Sequence, residues 1–153
     1  MESRQLVDKL VSLVLLDIDA IHAYDQAMIK LSMSMLSVKN QFLQFKYDHE
    51  RHVQNLTACI HRLGSEAPQF SKEFKGFSFS KFKSLEKVQE LEEILNLMLE
   101  NERCTNMTYD DVLSFDLPDE VRMSVKNNRD DERRHLKYIK NCIESKIWSK
   151  KAA

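Results

Sequence analysis

Glycine and proline, the residues that most often interrupt regular secondary structure, occur only twice each in the 153 residues of this chain. Charged residues make up 31% of the sequence. Few chain breakers and many charges favour long helices whose outer faces are solvated. The sequence therefore predicts an all-α protein, and its length fits a single domain, residues 1–153, with a sizeable core.

Apolar residues recur at helical spacing in four long segments of the chain. These segments span about residues 3–31, 35–63, 84–114 and 117–148. Gly64 suits a left-handed end for the second helix, Ser84 is a good N-cap for the third, and Pro118 suits the first turn of the fourth. Two short connections and one long crossover, residues 65–83, indicate an antiparallel four-helix bundle in which the crossover joins helices two and three.

The crossover carries five phenylalanines between Phe70 and Phe82, interleaved with lysines. An aromatic and basic segment can grip single-stranded nucleic acid by stacking. The simpler interpretation is that the phenylalanines pin the crossover onto the bundle while the lysines face water. In either case the segment is a candidate contact surface for a partner.

Composition also limits which classes of binding partner and which cellular compartment the chain is suited to. The net charge is −1, so nothing favours nucleic acid or a membrane surface as an obligate partner, and no apolar run approaches the ~20 residues that span a bilayer. Asp17 and Asp19 interrupt the N-terminal apolar run before a signal-peptide core is complete. The three cysteines are scattered and lack CxxC spacing, which predicts a cytoplasmic protein.

Two pairs of metal-competent residues interrupt the apolar stripes: His49 with His52, and Glu132 with His135. Residues three apart share one helix face, so each pair points the same way. Nine apolar residues continue the same two stripes and indicate that this face is buried: Val38, Phe42, Phe45, Leu56, Cys59, Val121, Val125, Ile139 and Cys142. Burying such polar groups costs several kcal/mol unless a metal ion or an ion-pair network compensates them.

The two remaining helices each carry one carboxylate near the middle of the buried stripe. Because the midpoints of equal helices meet at one level of a bundle, six side chains should converge on one buried spot. They are Asp17, His49, His52, Glu102, Glu132 and His135. One carboxylate from each odd helix and a two-residue motif from each even helix is the arrangement that builds a dinuclear metal site.

The chain also repeats itself as two similar helical hairpins. Tyr24 follows Asp17 by seven residues, as Tyr109 follows Glu102, and we predict that both tyrosines donate to a buried carboxylate. The spacing also permits ordinary intrahelical pairs, of Asp48 with His52 and of Asp131 with His135. Arg51 and Arg134 are predicted to be outer-face charges without a functional role.

With these motifs the sequence resembles the ferritin-like, or rubrerythrin-like, superfamily of four-helix metal carboxylate proteins, and more narrowly a small bacterial branch of it. The matching stretches are Asp17-x-x-Ala20-x-x-x-Tyr24, His61 to Gly64, and Asp131-Glu132-x-x-His135. The resemblance implies two irons, or iron with manganese, bound between the helices and used for iron oxidation, peroxide reduction or oxygen activation.

The resemblance also implies which residues are ligands: Asp17, His52, Glu102, Glu132 and His135 match the family pattern. The chain departs from it at His49, where the family has a bridging glutamate. Three carboxylates and three imidazoles leave about one positive charge uncompensated when two divalent ions bind. This count favours a single ion, zinc or manganese, or a site whose metal has been lost.

Two classes of function remain open on the sequence. One is a metal-binding protein of the ferroxidase or peroxidase type, using iron, manganese or zinc in the bundle core. The other is a metal-free stress or protein-interaction bundle in which the six residues form a buried polar network. A homo-oligomer is compatible with both.

Overall fold

The computed structural model describes residues 2–31, 33–69 and 84–149 of the chain. Four α-helices account for most of these residues: α1 (Ser3–Lys30), α2 (Leu36–Arg62), α3 (Leu91–Leu113) and α4 (Asp119–Glu144). Short 3-10 turns follow α1, at Met33–Met35, and α4, at Ile147–Ser149. No strand occurs in the described ranges, which confirms the predicted all-α class.

The helices form two antiparallel hairpins, α1 with α2 and α3 with α4. Polar contacts pair Tyr24 with Glu102 and Tyr109 with Asp17, so α1 and α3 run in opposite directions. It follows that α2 and α3 run in the same direction. A 27-residue helix such as α2 is about 40 Å long. The described end of α2 and the start of α3 therefore lie at opposite ends of the bundle, as the predicted crossover requires.

The core is built from the apolar stripes that the sequence indicated. All nine stripe residues of α2 and α4 are buried, from Val38 at 0% exposure to Cys142 at 5%. Burial of one large apolar side chain contributes roughly 1.5–3 kcal/mol, so these stripes fix the rotation of each helix. That rotation turns the polar residues between them toward the bundle axis.

The third helix begins later than its sequence predicts. Ser84 is not its N-cap, because α3 starts at Leu91 and Glu90 precedes it as the cap residue. The segment between is tied to the end of α1, since the Lys30 ammonium donates to the carbonyls of Glu86 and Val88 at 2.9 and 2.7 Å. These tertiary contacts replace the first two turns of the predicted helix.

The remaining boundaries agree with prediction except in α4, where Pro118 is the cap residue and not part of the first turn, and where the helix ends early. Gly64 has φ +81°, the left-handed conformation expected after α2. The fourth helix ends at Glu144 and not near Trp148, because Lys146 takes a left-handed φ of 49° and breaks it. The phenylalanines of residues 70–82 lie outside the described residues. No helix in the described ranges is long and apolar enough to cross a membrane.

Candidate metal centre

The six predicted side chains lie together in the middle of the bundle, each no more than 2% exposed. Their nitrogen and oxygen atoms form two overlapping groups, within each of which all ligand atoms lie within 4.8 Å of one another. The first group contains Asp17, His49, His52 and Glu132, and the second contains His49, Glu102, Glu132 and His135. His49 and Glu132 belong to both groups and thus lie between two potential ion positions.

Two tyrosines hold the carboxylates that come from the odd helices. The hydroxyl of Tyr24 on α1 donates to Oε1 of Glu102 on α3, and the hydroxyl of Tyr109 on α3 donates to Oδ2 of Asp17 on α1, both at 2.5 Å. Burial and the adjacent carboxylate raise the pKa of each tyrosine well above its usual value, so both remain protonated donors. The predicted role of these tyrosines is confirmed.

Two aspartates orient the histidines, but across the bundle and not along one helix. Nε2 of His52 contacts Oδ2 of Asp131 at 2.9 Å, and Nε2 of His135 contacts Oδ2 of Asp48 at 2.8 Å. The predicted pairing of residues four apart is therefore wrong: each aspartate reaches the histidine of the facing helix, because α2 and α4 run antiparallel at this level. An outer carboxylate on Nε2 fixes the tautomer, so that Nδ1 faces the centre.

Arg51 and Arg134 join these aspartates on the surface of the bundle. The Arg51 guanidinium lies 2.5 Å from Asp131 and 3.2 Å from Asp48. Arg134 contacts Asp131 and lies 3.8 Å from Asp48. The arginine side chains are more than half exposed, as expected for outer-face charges, but they hold both aspartates in place. The predicted outer-face placement of Arg51 and Arg134 is confirmed, but their contacts with both aspartates were not predicted.

This arrangement has an approximate two-fold symmetry that is broken at one position. The sequence Asp-His-Glu-Arg-His of residues 48–52 corresponds to Asp-Glu-Arg-Arg-His of residues 131–135. The aspartate, arginine and histidine of one copy make the same contacts as those of the other. Among the corresponding residues that belong to the centre, only His49 and Glu132, which lie between the ion positions, differ in chemical type; the other differing pair, Glu50 and Arg133, lies outside the centre.

His49 uses its two ring nitrogens differently. Nδ1 lies 2.7 Å from Oδ1 of Asp17 and 3.2 Å from Oε1 of Glu132. Nε2 lies 3.6 Å from Oε1 of Glu102, beyond hydrogen-bond distance. Because an ionised carboxylate can only accept, the close contact with Asp17 requires that Nδ1 carries the proton.

The ionisation of these groups is strongly perturbed. Burial alone would raise the pKa of Asp17, but the charge on His52 and hydrogen bonds from both histidines of α2 lower it from 3.8 to about 2. Burial alone would lower the pKa of His49, but the charge on Glu132 and the Asp17 hydrogen bond raise it from 6.5 to about 9. The pKa values of His52 and His135 are also raised, against burial, by the carboxylates around them.

These shifts predict how the stability of the protein without metal depends on pH. Asp17 stabilises the fold above its unfolded pKa of 3.8, and this contribution is lost as pH falls toward 2. His49 stabilises the fold below its unfolded pKa of 6.5, and this contribution is lost as pH rises toward 9. Denaturant unfolding in chelator should therefore give a maximum between about pH 4 and 6.5. A free energy of unfolding that is constant from pH 6.5 to 9 would contradict this account.

The donor set fits a divalent transition metal. Five buried atoms of the centre have no hydrogen-bond partner among the described residues: Nε2 of His49, Oε2 of Glu102, both carboxylate oxygens of Glu132 and Nδ1 of His135. Buried polar atoms without partners cost about 1–3 kcal/mol each, more when charged. Mixed imidazole and carboxylate ligands suit iron, manganese and zinc. The residues present can therefore hold such an ion.

Comparison with solved structures identifies the architecture. A dodecameric thioferritin, the bacterioferritin-related protein of Bacteroides fragilis, is similar over 96% of this chain and 89% of its own, with TM-score 0.79 and 14% sequence identity. The fold is ferritin-like. The bacterioferritin of Desulfovibrio desulfuricans, whose X-ray structure describes a diiron site, is similar to this ferritin-like bundle over 93% of the chain and 80% of its own, with TM-score 0.75 and 18% identity. No family model and no curated protein matches the chain by sequence.

Sequence reasoning found the inner six residues of this ferritin-like bundle and missed the four that surround them. Asp48, Arg51, Asp131 and Arg134 were interpreted as intrahelical pairs and surface charges. A signal for them was present, since Asp-x-x-Arg-His occurs once in α2 and once in α4 at corresponding places. A repeated charged motif beside a buried histidine indicates that the charged residues serve that histidine.

Proposed function

We propose that this ferritin-like bundle binds a divalent transition metal, iron, manganese or zinc, between its helices. The observation that carries the proposal is a set of five buried atoms without hydrogen-bond partners among the six converging ionisable side chains. Burying such a set of ionisable side chains without a cation is unfavourable in free energy. A divalent ion supplies that charge at the place where the lone pairs meet.

We further propose that the bound ion serves iron oxidation or the handling of oxygen or peroxide. A redox-active ion supplies one-electron chemistry toward such substrates when bound. The protein's own groups then have defined tasks. Tyr24 fixes the carboxylate of Glu102, Asp48 fixes the ring of His135, and the exposed Arg51 and Arg134 keep the outer aspartates ionised and in place.

The neighbouring structures support this proposal. One is a bacterioferritin whose diiron site is described, and the other is a dodecamer. We propose by analogy that this chain also forms a homo-oligomer. None of the three cysteines, all of which lie in the described ranges, is in a disulfide, which agrees with the proposed reducing, cytoplasmic environment.

Metal binding should be visible as thermal stabilisation. At an ion concentration about 100 times the dissociation constant, the free energy of unfolding rises by about 2.7 kcal/mol, which raises the melting temperature of a chain of this size by about 5–10 °C. His135→Ala should abolish the increase produced by Fe²⁺, Mn²⁺ or Zn²⁺. His61→Ala is the matched control, because His61 is 54% exposed and far along α2 from the centre. If none of the three ions raises the melting temperature, the proposal is wrong.

One observation favours the alternative of a metal-free bundle. The centre and its surroundings hold five carboxylates, two guanidinium groups and three imidazoles, so the charges balance when all three histidines are protonated. The raised histidine pKa values are what such a network requires. In this alternative the cluster specifies helix register in an interaction module. If none of the ions binds, the metal-free bundle is the better interpretation.

A further inference from the structure

We propose that the centre binds one divalent ion and not two, and that only four of its six residues are ligands. The four ligands are His49, Glu102, Glu132 and His135. Asp17 and His52 are positioning residues, which hold the ring of His49 and close the ion position of the first group. This inference rests on the proposed function and specifies the number of ions and the donor atoms.

The unpaired atoms of the centre are divided unevenly between the two ion positions. All five atoms of the centre that are buried without a hydrogen-bond partner belong to the four residues that form the second group. They are three oxygens of two carboxylates and two ring nitrogens, so the four side chains together offer one ion a complete set of four ligands. A set that the fold leaves unsatisfied is the set that an ion would satisfy.

The first ion position, that of the group containing Asp17 and His52, is already occupied by hydrogen bonds. Oδ1 of Asp17 is 2.7 Å from Nδ1 of His49 and 3.1 Å from Nδ1 of His52. Its other oxygen accepts from Tyr109. Nε2 of His52 is paired with Asp131. An ion at this position would have to displace both contacts to Oδ1, whereas an ion at the second position displaces no hydrogen bond.

Oε1 of Glu132 comes close to the first position but does not change this assignment. It lies 3.0 Å from Nδ1 of His52 and 3.2 Å from Nδ1 of His49. Neither approach has the geometry of a hydrogen bond, since both oxygens of Glu132 remain without a partner. The carboxylate is therefore available to an ion.

In the neutral form that an ion requires, the tautomers of the two ligand histidines point to the same position. Nδ1 of His49 donates to Asp17, which leaves the lone pair on Nε2, the atom that faces Glu102. Nε2 of His135 donates to Asp48, which leaves the lone pair on Nδ1, 3.3 Å from Glu132 and 3.6 Å from Glu102. Each ring thus has a carboxylate behind it and an ion position in front of it, the arrangement that orients metal-bound histidines.

Charge favours one ion as well. His52 contacts Asp17 through Nδ1 and Asp131 through Nε2. Because both nitrogens donate to carboxylates, the ring carries two protons and supplies one positive charge at the first position. With that imidazolium, the two guanidinium groups and one divalent ion, five positive charges oppose the five carboxylates. Two divalent ions with three neutral histidines leave one positive charge over, and oxidised iron leaves more. Excess charge in a buried site is strongly unfavourable.

The number of ions is measured directly by calorimetric titration of chelator-treated protein with Zn²⁺, and anaerobically with Fe²⁺. We expect about one ion per chain, confirmed by metal analysis after gel filtration. Two ions per chain would overturn this inference while leaving the proposed metal centre intact. No binding would overturn both, so the two failures are distinguishable.

The position of the ion is tested by two matched substitutions. Asp48 and Asp131 are both mostly buried, with side chains 16% and 17% exposed, and both contact the same two arginines. Asp48→Asn replaces the carboxylate that accepts from Nε2 of the ligand His135 with a neutral amide. Ion affinity should therefore fall about 10–100-fold. Asp131→Asn acts on His52 instead and should lower affinity far less. Equal losses, or a larger loss for Asp131→Asn, would overturn the assignment even if the number of ions is one.

Discussion

The His49→Glu variant should bind two divalent ions per chain where the unmodified protein binds one. The substitution removes the Nδ1 donor that occupies Asp17 and places a carboxylate between the two ion positions. It also adds one negative charge, so that two divalent ions and two guanidinium groups balance six carboxylates. A carboxylate can bridge two ions about 3.5–4 Å apart, as in other two-metal sites. Iron bound per chain should therefore double, and iron oxidation should become faster.

The matched control for this variant is His49→Gln, which removes the imidazole without adding charge. It should bind at most one ion, and more weakly than the unmodified protein. Calorimetric stoichiometry and metal analysis measure both variants. If the unmodified protein already binds two irons and His49→Glu reduces that number, the charge argument is wrong and His49 is a working ligand of a two-ion site.

Asp17→Ala should destabilise the metal-free protein by about 3–5 kcal/mol, the effect expected when one partner of a buried ionic network is removed. Asp17 accepts from His49, His52 and Tyr109, all of which are fully buried and lose their acceptor together. Its side chain is 0% exposed, so solvent does not reach this position to replace it as an acceptor. The measurement is denaturant unfolding at pH 6 in chelator.

Asp25→Ala provides the comparison for Asp17→Ala. Asp25 lies on the same helix and pairs with Lys46 at 2.8 Å, but its side chain is 39% exposed. Exposed pairs of this kind contribute about 0–1 kcal/mol, so this variant should be close to the unmodified protein. A loss below about 1 kcal/mol for Asp17→Ala would show that the network around Asp17 contributes little to the fold.

The bundle and the phase of its helices were predictable because they follow from local physics. Apolar spacing determines which face of a helix is buried, and it placed Glu132 and His135 inside before any tertiary contact was known. The start of α3 was not predictable in this way. Ser84 and Val88 continue the helical pattern, but the hydrogen bonds from Lys30 that hold this segment connect residues more than fifty positions apart.

The pairing inside the centre shows the same limit. A spacing of four between Asp48 and His52 is equally consistent with a contact along one helix and with contacts to a facing helix. The choice depends on the antiparallel register of α2 and α4, which places Asp48 beside His135. Likewise, the sequence alone shows that His49 stands where the family pattern has a glutamate. Only the geometry shows that its Nδ1 is hydrogen-bonded to Asp17 while its Nε2 has no partner.

Diffraction from crystals of the metal-loaded protein, recorded at the absorption edge of the bound metal, tests the central claim most directly. Loading with Zn²⁺, or with Fe²⁺ in the absence of air, should give one anomalous peak per chain. The peak should lie about 2.0–2.2 Å from Nε2 of His49, Nδ1 of His135 and oxygens of Glu102 and Glu132, the distances usual for zinc with such ligands. Loaded crystals without any peak among the four helices, with these side chains paired to one another instead, would contradict the account.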